Sequence, residues 1–399
     1  MTNSATATGG NEAPRSRVDS IDLVRGAVMI VMVLDHVRDF FTDTRIDPTN
    51  LAVTTPALFF TRWITHFCAP TFALLAGVSA SLSGARRARG ELSRHLAIRG
   101  FWLIVVEQTL GQVFLFFAIP QLVLGLVLWA LGWSMIALAG LIYLPRWGIA
   151  AIAVAMIAGH NAFDGFAPAG DVPGLVWGIL HRQGIRVLPG GVPIFVAYPL
   201  IPWVGVMASG YALGPVFRWP ARRRVRLLAT LGLGLTAGFL ALRAINVYGD
   251  PTRWARQPRP AFTLISFLNC QKYPPSLLYL MMTLGPVLLA LAALDRGLGR
   301  RANPVRTIGR VPLFFYLLQW PVAHGLAVAY EAALGQPIGW MFGFPPPDPP
   351  PGYGHDLAVV YAAWAITVAL LYGPCVWFAA RTRRIGTPIE PTGASPPAT

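Results

Sequence analysis

Ten predominantly apolar stretches alternate with short polar connections along the chain, near residues 23–41, 57–82, 97–117, 121–144, 147–161, 192–217, 225–247, 276–294, 311–333 and 357–380. Most approach the roughly 20 residues that a helix needs to cross about 30 Å of hydrocarbon. The fifth is short for that task. The pattern predicts an all-α, polytopic integral membrane protein with about ten transmembrane helices spanning residues 21–384. Polar segments 1–20 and 385–399 read as disordered tails. No small-residue cleavage site follows a short apolar core near the start, so the first helix reads as a retained span rather than a signal peptide.

Composition supports the membrane reading. Of 399 residues 55% are hydrophobic and only 12% charged, too few charges to cover a soluble surface of this size. A formal net charge of +15 would suggest nucleic acid in a soluble domain, but the arginines sit on alternate connections. Grouping Arg15, Arg17 and Arg25 with Arg86–Arg99, Arg146, Arg218–Arg226, Arg296–Arg310 and Arg381–Arg384 puts 22 of the 32 basic residues on one side. The positive-inside rule makes that side cytoplasmic, with both termini there and an even number of spans. The opposite side carries the longer connections 162–191, 248–275 and 334–356, too short and too rich in Gly and Pro for a separate domain. The proline run at 345–351 reads as an extended spacer.

The candidate chemistry starts on the first helix. Asp22, Arg25, Met29, Met32 and His36 recur at spacings of three and four and so form one stripe. Arg25 and His36 lie about 16 Å apart along the axis, half the hydrocarbon thickness. Ionisable groups on a membrane helix are costly and point to function. Asp22 and Arg25 can pair one turn apart. His36 has Asp35 adjacent and Asp39 one turn on, and either carboxylate could hold one ring nitrogen and leave the other as a base. Which of them faces the ring is left open.

Of seven histidines only His95 falls on the arginine-rich side. His36, His66 and His324 lie within spans; His160, His181 and His355 lie toward the outer face. No two histidines share an i, i+4 spacing and Cys68, Cys270 and Cys375 lack ligand spacing, so no metal is expected. A Cys68–Cys270 disulfide is a minor alternative. Glu107 and Gln108 interrupt the third stretch, where a helix–helix hydrogen bond is the plainer reading than chemistry. Lys272, the only lysine in the chain, follows Asn269 and precedes Tyr273-Pro274-Pro275-Ser276. Its amine suits an anionic or carbonyl group, or an interface anchor. Pro70 would kink the second helix and free carbonyls beside a cavity.

Several of these segments carry a family resemblance. Ser20–Gly26 followed by His36, Arg62–Pro70, His160–Asp164, Tyr198–Met207, Phe267–Ser276 and Gly309–Tyr316 occur in an order that resembles bacterial heparan-α-glucosaminide N-acetyltransferase-like membrane proteins. The arginine, ten residues and then histidine also resembles wider transmembrane acyltransferases. The resemblance implies a bacterial inner-membrane enzyme that moves an acetyl group from cytoplasmic acetyl-CoA, a co-substrate, to an extracytoplasmic sugar or glycan. It makes His36 the catalytic histidine and sets Arg25 toward the CoA end. Two departures stand out. Animal-type enzymes have asparagine at the position of His36 and their active histidine later, so sugar specificity does not carry over. Bacterial relatives usually have histidine where Gln319 stands.

On this reading Arg25, Arg222, Arg223 and Arg310 hold the CoA phosphates. His36, assisted by Asp35 or Asp39, acts as base or as acyl carrier. His66, Asn269, Lys272 and His324 bind the acceptor. The rival functions are a transporter or flippase with a polar mid-membrane site, and a non-catalytic scaffold.

Overall fold

A helix stands at each of the ten apolar stretches. The computed structural model describes residues 19–43, 45–119, 122–296, 303–343 and 349–386. The two tails, apart from Asp19, Ser20 and the end of the last helix, and most of the proline run lie outside these residues. Helix α1 is Asp19–Phe41, so it starts two residues before the expected domain boundary. The second stretch is α2 (Pro56–Trp63), a 3₁₀ turn (Ile64–Phe67) and α3 (Cys68–Gly84); Pro70 sits just past that turn, inside the first turn of α3, where a missing N–H costs little. Then come α4 (Arg89–Val106), a π turn (Glu107–Gly111), α5 (Gln112–Phe116), α6 (Val127–Leu141), α7 (Arg146–Gly159) and α8 (Asp171–His181). The remainder is α9 (Leu200–Leu213), α10 (Ala221–Ile245), α11 (Pro260–Leu268), α12 (Leu277–Asp295), α13 (Asn303–Arg310), α14 (Pro312–Ala333) and α15 (Leu357–Gly386).

Among the described residues six helical segments are long and apolar enough to cross a membrane: Pro56–Gly84, Leu200–Arg218, Ala221–Ile245, Leu277–Asp295, Pro312–Ala333 and Leu357–Thr382. They mark a multi-pass membrane protein. The α6 and α7 helices are shorter, and α1 is heavily charged for a span. Burial separates centre from rim. The apolar windows of Leu200–Arg218 and Pro56–Gly84 are 72% and 61% buried, those of Ala221–Ile245 and Leu357–Thr382 only 22% and 28%. An apolar helix that stays exposed is one built to face lipid. Helix α1 packs against α3, α12, α13, α14 and α15, so its polar stripe lies in the bundle interior.

The all-α expectation needs one correction. Strands β1 (Val123–Gly125), β2 (Gly184–Val187) and β3 (Pro193–Val196) form a sheet in the order β1-β3-β2, with β1 parallel and β2 antiparallel to β3. Residues read as the starts of the fourth and sixth spans are therefore extended. Gly190 and Gly191 take positive φ to turn the chain between β2 and β3, and Pro199 prevents α9 from starting earlier. Glu107 and Gln108 serve this irregular backbone. Glu107 Oε2 accepts the Trp129 N–H at 2.6 Å in the first turn of α6, and Gln108 both donates to and accepts from the Leu124 backbone. Polar backbone at membrane depth must find partners inside the protein. All three cysteines are free, which removes the disulfide alternative.

Close helix contacts rest on glycine. A Cβ at Gly77 would lie 1.9 Å from the Met207 carbonyl oxygen, and one at Gly210 would lie 2.1 Å from that of Leu74, so α3 and α9 touch backbone to backbone. Gly26 and Gly309 do the same for α1 and α13. Gly77→Ala should lower stability by about 1–3 kcal/mol through overpacking. Gly234→Ala, in α10 with open space around it, should be neutral or slightly stabilising. Thermal unfolding in detergent compares the two; equal midpoints would refute the close-contact argument.

Candidate active site

Near the C-terminal end of the α1 stripe a small cavity opens, about 340 Å³ with its open mouth included. Met32, Asp35 and His36 line it from α1, and Thr65, Cys68, Ala69 and Phe72 from the α2–α3 segment. Val127, Tyr198, Lys272 and Tyr316 complete it. The chain delivers these residues from several separate elements. The sheet brings Tyr198, whose N–H is held by the Gly125 carbonyl at 3.0 Å. Lys272 comes on the loop before α12. Asp250 ties that loop, accepting from the Gln271 N–H at 2.8 Å and the Ser276 hydroxyl at 2.6 Å, while Ser276 caps α12. Burial raises the Asp250 carboxyl above its ordinary range, against those bonds and the nearby charge of Arg243. Arg243 itself is buried and donates to the carbonyls of Thr252, Ser266, Phe267 and Asn269, fixing the same loop region.

Asp35 is the electrostatic centre. Arg62 donates to Oδ2, Arg38 Nη2 to Oδ1 at 3.2 Å, and Lys272 Nζ stands 3.9 Å from Oδ2. Arg38 also donates to Asp39 at 2.6 Å. Three cations against two carboxylates leave the cavity's edge with a formal excess of positive charge, suited to a carbonyl oxygen that gains negative charge. Lys272 Nζ also lies 5.2 Å from the centre of the Tyr273 ring.

His36 is held differently from the expectation. Among the described residues neither Asp35 nor Asp39 hydrogen-bonds the ring; both are engaged by Arg38, and Asp39 has a half-exposed side chain. The imidazole instead stacks on Trp320, centroids 3.8 Å apart and planes 23° from parallel. Its Nδ1 is sealed from solvent without a hydrogen-bond partner, and the buried Gln319 amide faces the ring without completing one. The stack on Trp320 thus helps to set the ring orientation.

Other singled-out residues lie elsewhere. His66 is buried beside Thr65, its carbonyl accepting from the Tyr279 hydroxyl at 2.8 Å. Asn269 donates to the Thr49 carbonyl at 2.9 Å. His324 lies between Phe40 and Phe117 and bonds the Leu115 carbonyl at 3.0 Å. These three are absent from the cavity lining described above. At the other end of α1, Arg25 donates to Asp22 at 3.2 Å, Ser79 at 3.0 Å and the Gly309 carbonyl at 3.3 Å, and Arg310 approaches Asp22 at 3.5 Å. The structure therefore joins Arg25 and Arg310 through Asp22. Arg222 and Arg223 are exposed at the start of α10, Arg223 over the Trp219 ring.

Sequence reasoning missed Arg62 and Trp320 as functional positions. Arg62 lies four residues before His66 inside an apolar stretch, the same signal that drew attention to Arg25. The Trp320 stack had no sequence signal. No curated protein matches the chain. The family described as "Heparan-alpha-glucosaminide N-acetyltransferase, catalytic" matches residues 17–243, more than half of the 399 residues, and the chain belongs to that family.

Proposed function

We propose that this protein transfers an acetyl group from cytoplasmic acetyl-CoA to a sugar or glycan acceptor across the membrane, with His36 as base or acyl carrier. The family implies acetyltransferase activity. The single observation that carries the residue assignment is a half-buried imidazole lining a cavity whose rim is cationic. Ten spans with both termini in the cytoplasm, in a bacterial inner membrane, are part of the proposal and rest on the arginine distribution.

The arginine-rich end, with Arg25 and Arg310 and the exposed Arg222 and Arg223, offers charge for CoA phosphates. The pantetheine arm would bring the thioester along the α1 stripe toward His36. By the direct route His36 takes the proton from an acceptor hydroxyl or amine, the acceptor heteroatom bonds the acetyl carbon, and the carbon–sulfur bond breaks as CoA thiolate leaves and is protonated. By the covalent route a ring nitrogen first takes the acetyl group and releases the thiolate, and the acceptor then displaces the imidazole. Either route builds negative charge on the acetyl oxygen, which Lys272 is placed to stabilise. Arg62 and Asp35 hold that lysine's surroundings in place.

The test is free-thiol release by purified protein in vesicles, with acetyl-CoA and glucosamine as probes and envelope glycans as the second acceptor pool. Acceptor-dependent loss of acetyl-CoA supports the reading. Sugar crossing the vesicle wall without acetyl-CoA loss would replace it with a transporter. Lys272→Met should lower kcat/KM by the worth of a charged hydrogen bond, about 1.5–3 kcal/mol or roughly ten- to hundredfold, with Lys272→Arg intermediate. An unchanged kcat/KM in Lys272→Met would remove the lysine from the mechanism.

A further inference from the structure

Just beyond α7, a second cluster of titratable groups stands apart from the residues that line the cavity. His160 opens the 3₁₀ turn His160–Phe163, Asp164 follows it, and His181 ends α8. One ligand atom from each lies within 4.8 Å of the other two. His181 Nε2 is 3.1 Å from Asp164 Oδ1, and the two imidazole rings meet edge to face at 5.5 Å. His160 and His181 are 3% and 1% exposed.

The hydrogen bonding leaves this cluster incomplete. Neither nitrogen of the His160 ring forms a hydrogen bond, although the Pro275 carbonyl faces the ring, and His181 Nδ1 is also without a partner. Buried polar atoms normally find partners, and an imidazole sealed from water with both nitrogens unused is costly. The carboxylate, in contrast, is held for use. Asn161 Nδ2 donates to Asp164 Oδ2 at 3.0 Å, the kind of outer contact that orients a metal ligand. Trp177 packs over His181 and walls one side.

We propose that His160, Asp164 and His181 form a binding site for a late first-row divalent cation, Zn²⁺ first among them. Two imidazoles and one carboxylate match the ligand preference of zinc, whereas magnesium and calcium select oxygen. A cation about 2.0–2.2 Å from each ligand atom would draw the three together from separations of up to 4.8 Å and leave a fourth place for water. Its ionic charge would compensate Asp164 and give the unused His160 nitrogen a partner. The site braces the outer surface beside the cavity, because Asn161 Oδ1 also accepts the Leu277 N–H at 2.9 Å, one residue after the Ser276 cap. This revises the expectation of no metal. Pairing histidines by helical spacing could not find a set whose third member arrives on another helix.

The test uses full-length protein in detergent with any polyhistidine tag removed, stripped by chelator and titrated with Zn²⁺ by calorimetry. One equivalent should bind and raise the thermal midpoint. In His181→Ala and His160→Ala the affinity should fall by more than the roughly hundredfold that loss of an outer partner costs. Should those variants misfold, Co²⁺ added to the stripped wild type decides: intense visible bands of a four-coordinate site support the proposal, and weak six-coordinate bands overturn it. Failure of the wild type to take up one equivalent of Zn²⁺, or equal affinity in the variants, also overturns it. These readouts do not depend on acetyl transfer, so either proposal can fail alone.

Discussion

His36→Ala is expected to lower acetyl transfer by at least about 100- to 10,000-fold, the span associated with loss of a positioned acid–base group. Folding should survive, and the geometry says why. The ring's Nδ1 has no hydrogen-bond partner among the described residues that its removal would strand, and the ring stacks on Trp320. Such a stack is worth about 0.5–1.5 kcal/mol beyond the area buried, a modest loss. The variant should therefore elute as wild type does and unfold only slightly earlier while thiol release from acetyl-CoA stops. His36→Gln should be equally inactive if the ring nitrogen carries the chemistry. Wild-type protein given acetyl-CoA without acceptor and then quenched in acid separates the two routes. An acetyl adduct on His36 establishes the covalent one, and CoA release with no adduct excludes it. Full transfer in His36→Ala would end the assignment of this residue.

What could be read ahead of the structure was local. The three-residue spacing of Asp22 and Arg25 anticipates their bond, and the α1 stripe runs into the bundle interior as its polarity required. The uniqueness of Lys272 drew attention to a side chain that does line the cavity. Non-local choices stayed hidden. Asp35 lies 27 residues from Arg62, and nothing in either segment announces their pairing. The partner expected for His36 failed for a physical reason: Arg38, one turn after Asp35 and next to Asp39, reaches both carboxylates and takes them away from the imidazole. The sheet was hidden by the apolar character of its strands, which resemble the ends of the adjoining helices until Gly190 and Gly191 are read as a turn. Gln319 is the instructive case. The family resemblance marked it as a departure, but only the fold shows that this buried amide faces His36 itself.

Asp35→Ala should be the most destabilising of the substitutions considered, because it leaves Arg62, Arg38 and Lys272 facing one another. The Asp35 and Arg62 side chains are only 12% and 13% exposed, so water screens the stranded charge poorly. Breaking such a pair costs about 3–5 kcal/mol, most of it the uncompensated cation rather than the lost attraction. Asp35→Asn tests that distinction, since it preserves shape and removes charge; it should lose nearly as much. Asp35→Asn combined with Arg62→Met removes one stranded cation as well and should recover part of the loss, a non-additivity expected of contacting groups. Glu91→Gln is the exposed counterpart. Glu91 pairs with Arg87 at 3.4 Å with a 64% exposed side chain, and its loss should change stability by well under about 1 kcal/mol. Thermal unfolding of the four proteins in one detergent reads all of this at once. If Asp35→Asn unfolds with the Glu91→Gln variant rather than far below it, the three cations do not depend on Asp35. The positive rim of the cavity would then have to be held together by something other than this carboxylate.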